Sequence, residues 1–311
     1  MGYFGAVQGI FSLVILIVIG FWLTRIKWFD EGTSEMFAKL VINITIPAMM
    51  LQSMSVYFDI EEIRHLGMGV LAIFAGIITT YVLAHGVAVV IKVPRDERGV
   101  FSSMFALSNT IFMGLPVNIA IFGEVSIPYA LTYFIANTAV FWTIGVYGIR
   151  RDTDPAQRFS LDSVKKLITP PLVGFVFAIL VVVMEIRIPR IIEDTTRMLG
   201  GLTTPISAFY IGMVFYALSR RKIAINYKIL VASFGKIVIS PLVVFFFVSF
   251  TSLSPLMKNV FIIQASMPMM TQLVIVSRAY GARDEMVALG ALVTTGLSLL
   301  TIPVYMLLFN M

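Results

Sequence analysis

Apolar residues run through this chain in long blocks separated by short charged clusters. Cutting at the charged positions leaves ten windows. They are Met1–Thr24, Leu40–Phe58, Leu66–Ile91, Gly99–Gly123, Val125–Ile149, Leu167–Met184, Met198–Ser219, Ile229–Met257, Asn259–Ser277 and Met286–Met311. A helix of roughly 20 apolar residues spans the hydrocarbon core of a bilayer. The pattern therefore predicts an all-α membrane protein of ten transmembrane helices.

Two of these windows are interrupted. The fourth carries Gly114 and Pro116 near its centre, with Ser108, Asn109, Thr110 and Asn118 on either side. Proline removes a backbone donor and clashes with the carbonyl four residues back, so a break is expected near Gly114–Pro116. The ninth carries Pro268 between Gln264 and Gln272, and a second break is expected near Met267–Pro268. Non-helical backbone at membrane depth is tolerated where it is buried in protein or lines a watery cavity. The two stretches are read as the halves of one substrate site, with the breaks crossing.

Composition agrees. Of 311 residues, 59% are hydrophobic and 13% charged, against about 25% charged in soluble domains. Cysteine is absent, which excludes disulfide and thiolate chemistry, and two histidines, His65 and His85, are too few for a multi-histidine metal site. No cofactor is expected. The first charge is Arg25, so the N-terminal apolar run is expected to remain as a helix rather than to serve as a cleaved signal. The net charge of +6 lies in short loops, which argues against nucleic acid and for orientation in a membrane. Odd-numbered loops hold 17 Lys and Arg, even-numbered loops 5, and Lys236 lies inside a span. The positive-inside rule places the odd loops in the cytoplasm. With ten spans, both termini are expected outside an inner or plasma membrane.

The longest loop divides the chain into residues 1–150, a cytoplasmic linker at 151–166, and residues 167–311. Pro47 and Pro205 are related by an offset of 158, Pro116 and Pro268 by 152. Each half then holds five helices. Because five is odd, the second copy enters the membrane from the opposite side, an inverted repeat of the kind that builds secondary transporters.

The candidate chemistry follows from the breaks. Half-helix N-termini present free N–H groups and a partial positive charge, and bind carboxylates without Lys or Arg. Asn109, Thr110, Asn118, Gln264 and Gln272 add polar side chains around Gly114, Pro116 and Pro268. Asn43, with Thr45, and Thr203, with Thr204, sit beside Pro47 and Pro205 as supports or walls. Asn137 and Thr138 correspond to Thr294 and Thr295 by the repeat. His85 and Lys236 are the ionisable groups well inside spans, and are candidates for coupling or gating. No permanent positive charge is expected in contact with either break.

Enzymatic readings lack their residues. There is no His-Glu-x-x-His, no Gly-x-Ser-x-Gly and no acid within a span to hold Mg²⁺.

At these residues the chain resembles the auxin efflux carrier family. Asn109-Thr110, with Gly114-Leu115-Pro116, is similar to that family's helix 4 segment; Pro268 through Ala279-Tyr280-Gly281 is similar to its helix 9 segment. Thr301-Ile302-Pro303 and the Lys236…Pro241 pair also fit. The resemblance implies ten helices in two inverted five-helix repeats, with a scaffold domain and an elevator-type transport domain in which helices 4 and 9 cross. It is a fold related to bile acid:sodium symporters. It also implies that Asn109 and Pro116 belong to the substrate segment and Pro268 to the second crossover. The chain lacks the large hydrophilic loop of the plant carriers and is closer to short members that carry small organic acids such as malate or malonate. The expected function is secondary transport of small organic carboxylates, auxin-like anions included. The alternatives are a proton- or sodium-coupled symporter of a larger amphipathic acid, and a non-transport sensor. The expected partners are the anion and the bilayer, with a homodimer left open.

Overall fold

The computed structural model describes residues 3–58, 60–154, 168–220 and 226–308, and these are helical with no strand among them. The elements in order are α1 (Tyr3–Arg25), α2 (Glu31–Tyr57), α3 (Ile60–Val90), α4 (Arg98–Ala106), α5 (Leu115–Phe122), α6 (Glu124–Thr153), α7 (Pro170–Val183), α8 (Arg190–Gly201), α9 (Thr203–Ser219), α10 (Tyr227–Ser249), α11 (Pro255–Ser266), α12 (Gln272–Ala279) and α13 (Asp284–Leu308). Among the described residues, five helical stretches are long and apolar enough to cross a membrane: α2, Gly67–Val90 within α3, α6, Arg190–Ala217 through α8 and α9, and α10. A sixth counts if the 51° bend in α13 is taken as one span. Phe11–Arg25, Thr110–Phe122 and Pro170–Val183 are apolar but shorter. The expected linker at 151–166 lies outside the described residues beyond Asp154.

Proline does not break this chain where its chemistry alone would put the break. Thr110–Gly114 is a π-helical turn that runs directly into α5, with Pro116 in the first turn of α5. The backbone therefore stays helical through Gly114–Pro116, and the interruption lies earlier, at Leu107–Asn109. The same device recurs twice. Val41–Thr45 is a π turn two residues before Pro47, and Gly235–Ile239 one two residues before Pro241. A π turn widens the helix, which gives the ring room that an α-helical carbonyl at i−4 would occupy. The carbonyl that Pro241 leaves without an α-helical donor, on Ile237, accepts instead from the Tyr305 hydroxyl at 2.5 Å.

The chain divides into two compact units, each drawn from both sides of the undescribed segment 155–167. The first comprises residues 1–68, 111–132 and 168–220. Here α1 lies against α9 at van der Waals range because both present glycine. A Cβ on Gly20 would meet the Phe209 carbonyl oxygen at 2.5 Å, and one on Gly212 would run into that of Ile17. Small residues let helix backbones close on each other where lipid offers no hydrophobic drive. Likewise Gly174 of α7 faces Pro47, and Gly200 faces Met49. At the centre the hydroxyl of Thr203 donates to that of Thr45 at 2.8 Å, both fully buried.

The second unit comprises residues 69–110, 133–167 and 221–311. Gly76 of α3 meets Val244 of α10, and Gly69 meets Phe261 of α11. The N-terminus of α4 is capped from afar: the Asp152 carboxylate accepts the N–H groups of Gly99 and Val100, each at 2.8 Å. A carboxylate at this end complements the free donors and the positive end of the helix dipole. Gly99 and Gly148 touch backbone to backbone beside it.

Candidate functional site

Two extended segments, Leu107–Asn109 and Met267–Met270, interrupt otherwise helical chain in the second unit. Each leaves backbone groups that no helix satisfies, and buried backbone groups must be paired. The two pair with each other. The Asn109 N–H donates to the Pro268 carbonyl at 2.8 Å and the Met270 N–H to the Leu107 carbonyl at 3.2 Å, forming an isolated antiparallel bridge between Ser108 and Met269. Pro268 can sit here because its role is to accept.

Side chains from the flanking helices complete the pairing. Asn137 of α6 accepts from the Ser108 N–H at 3.1 Å and donates to the Ser108 carbonyl at 3.1 Å. Thr294 of α13 does the matching task on the other segment, accepting from the Met269 N–H at 3.1 Å while donating to Gly290. Gln264 donates to the Thr110 carbonyl at 3.3 Å, and the Ser108 hydroxyl to that of Ala265 at 3.5 Å. Ser108, Asn137, Gln264 and Thr294 are fully buried. Asn109 is 5% exposed, and among the described residues its side-chain amide makes no hydrogen bond. A carboxamide carries both donors and acceptors, and those of Asn109 are not used by the described residues.

The structure thus gathers Asn109, Thr110, Asn137, Gln264 and Pro268 around one pair of breaks. Gln272, half-buried, opens α12 just beyond the second. Thr138 is buried with its hydroxyl unpartnered among the described residues. The other sequence candidates sit elsewhere. Gly114 and Pro116 lie in the π-to-α passage described above. Asn118 is buried and donates back to the Gly114 carbonyl at 2.7 Å. Asn43 is exposed and donates to Lys39, four residues back, a purely local bond. His85 lies on an exposed stripe of α3 with Val82, Leu83, Val89 and Val90.

Lys236 corrects the expectation that no cation touches a break. Its ammonium is fully buried and donates to the Ala106 carbonyl at 3.2 Å and the Ser240 hydroxyl at 3.1 Å. Ala106 is the last residue of α4, so the charge sits at the negative end of that half-helix, one residue from the break. The residue type is visible in the sequence. Its neighbour is not, because the two are 130 positions apart.

A polar cavity of about 890 Å³ is lined by residues of the charged loops, among them Asp96, Glu97, Asp152, Lys228, Arg283 and Asp284. Several of its ions are already engaged. Glu97 pairs with Lys228 and, at 3.4 Å, with Arg283; Asp152 caps α4; Asp284 holds Arg278 at 2.9 Å.

Residues 6–306 match the family described as membrane transport protein. An uncharacterized transporter of Methanocaldococcus jannaschii is 24% identical over 301 residues, covering 94% of this chain and 95% of its own. The chain belongs to the membrane transport protein family, the auxin efflux carrier family that its helix 4 and helix 9 segments resemble.

Proposed function

We propose that the protein is a secondary transporter of small organic carboxylates, working by alternating access with its substrate at the paired breaks. The observation that carries this reading is Asn109, a residue nine-tenths buried whose side chain makes no hydrogen bond among the described residues, where two interrupted helices meet. Helices restart at Thr110 and Gln272 immediately after the breaks, and such restarts offer N–H donors and a partial positive charge to an anion. Thr110, Gln264 and Gln272 line the same region, Pro268 fixes the second break, and Asn137 holds the first in shape.

The topology we propose is ten crossings in two inverted five-helix repeats, with both termini outside. Like-for-like contacts support it. Thr45 and Thr203 each precede a proline by two residues and bond to one another. The two breaks exchange equivalent backbone bonds, and Asn137 and Thr294, from equivalent helices, close one break each. An inverted repeat gives two alternative packings of similar energy, the basis of alternating access.

The test is flux into proteoliposomes with a panel of organic acids, malate, malonate and indole-3-acetate among them. Carboxylate flux is expected, and Asn109→Ala should weaken it. One hydrogen bond to a charged ligand is worth about 1.5–3 kcal/mol, or roughly 10- to 150-fold in affinity. Flux of neutral or cationic solutes alone, or unchanged affinity in Asn109→Ala, would reject the reading.

A further inference from the structure

Resting on the reading of the paired breaks as the substrate site, we propose that Glu97 is a positioning residue for that site. It ties the foot of α4 to α10 and α13, two of the helices that hold the breaks further along.

Glu97 occupies the N-cap position of α4, where a side chain ordinarily accepts from the first free N–H groups of its own helix. It makes no such bond. The capping is done by Asp152, which reaches in from α6 to accept from Gly99 and Val100. Glu97 is thereby released, and its side chain, 8% exposed, turns to other helices. One carboxylate oxygen pairs with Lys228 in the first turn of α10. The other lies 3.4 Å from Arg283, the residue before α13. Two carboxylates at the start of α4 are thus committed to three different neighbours.

The same three neighbours act again at the breaks. Asn137 of α6 holds Ser108, Thr294 of α13 holds Met269, and Lys236 of α10 meets the Ala106 carbonyl at the far end of α4. From Arg98 to Ala106 α4 runs 9 residues, about 13 Å at 1.5 Å per residue. A helix tied only at its far end can slide or tilt about that point. Tied at the foot as well, it delivers Leu107 to one place, and a binding site needs its groups held within about 0.5 Å.

Stability does not account for the arrangement. The attraction in a buried ion pair does little more than offset the cost of drying its charges, and well-packed apolar residues in its place are often as stable. What an apolar pair lacks is direction. One carboxylate shared between two cations selects a single register of α4, whereas methyl groups packed together accept several.

The experiment replaces the pair by packing. Glu97→Met with Lys228→Met, in the full chain in lipid nanodiscs, is compared with wild type in two measurements. One is hydrogen exchange of peptides covering 107–111 and 267–272. The other is binding of malonate and indole-3-acetate. Exchange at both breaks is expected to be about 10-fold faster, while that of α1 and α9 stays as in wild type. Affinity for whichever acid wild type binds should fall by a similar factor, about 10-fold. Lys228→Arg, which keeps the pair, should retain wild-type exchange and affinity. Unchanged exchange at the breaks would overturn the assignment and leave the carboxylate reading intact. Exchange that rises equally across the chain would do the same, since that is the mark of a stabilising role alone. So would faster exchange at the breaks with undiminished acid affinity. If the double variant does not fold, Glu97→Gln, which keeps the size and removes the charge, is held to the same outcomes. Wild type that binds neither acid would overturn the carboxylate reading, while faster exchange confined to the breaks would still uphold Glu97 as the residue that positions them.

Discussion

Truncating Asn137 tests whether the broken helix is held open from outside. Its amide accepts from the Ser108 N–H and donates to the Ser108 carbonyl, at 3.1 Å each, in a fully buried place, and that carbonyl accepts as well from the Thr110 N–H. In Asn137→Ala the Ser108 N–H loses its partner, while the C=O keeps the Thr110 N–H at 3.0 Å. The buried N–H left unsatisfied costs about 1–3 kcal/mol, and the bond lost at the still-paired carbonyl adds about 0.5–1.5 kcal/mol. Side-chain bonds between membrane helices average nearer 0.6 kcal/mol, because the unfolded chain in the bilayer finds other partners. That discount applies only partly here. With Asn137 gone, the folded extended segment has no helix to fall back on, whereas an unfolded, helical Ser108 would satisfy itself. We expect about 1–3 kcal/mol of destabilisation. The assay is a detergent-driven unfolding titration read by tryptophan fluorescence. Asn109→Ala is the control, since its side chain makes no bond within the described protein; it should stay within about 0.5 kcal/mol of wild type. A change under about 0.5 kcal/mol in Asn137→Ala, or equal losses in both, would refute the division between a residue that holds the break and one that faces a ligand.

Further outcomes follow from the same contacts. Gly235→Ala should push α10 off Phe105, displace Lys236 and abolish flux, and Phe105→Leu should restore part of it in the double variant; undiminished flux in Gly235→Ala would contradict the packing. Asp152→Ala should cost about 2–5 kcal/mol through two lost charge-assisted bonds to the start of α4, whereas Asp152→Asn should cost less; both are read in the same titration. Single cysteines beside Met1 or Met311, in a chain with no cysteine of its own, should react with impermeant thiol reagents from outside intact cells. Labelling only after permeabilisation would reverse the proposed orientation.

Much of this was legible because a polar side chain in an apolar window has few bland explanations. Asn109, Gln264, Asn137 and Pro268 are visible in that way, and they converge. The break before Asn109 was displaced from its expected place for a physical reason. Leu107-Ser108-Asn109 contains neither proline nor glycine, and its extended form is imposed by a partner segment some 160 residues away. Pro116, the obvious suspect, is absorbed by a π turn that no local rule announces. Asn43 and His85 look like membrane-embedded polar groups in sequence, yet one bonds to its own helix and the other lies on an exposed face. Lys236 was conspicuous by type, while its contact with Ala106 is tertiary and therefore silent in one dimension.

The mutual pairing of the two breaks sets a schedule for biosynthesis. Leu107–Asn109 emerges from the ribosome well before Met267–Met270, the segment whose backbone pairs with it break to break. At about 5–20 residues per second, the gap is roughly 8–32 s. During that time the nascent first half holds either an unbroken helix through Ser108 or exposed peptide groups in lipid, the latter strongly disfavoured. The interruption is then made after synthesis, when the second segment arrives and trades its own bonds for those of the first. A chain truncated after Ser249 should keep residues 98–122 as continuous helix, and the kink would appear only when the missing segment is supplied.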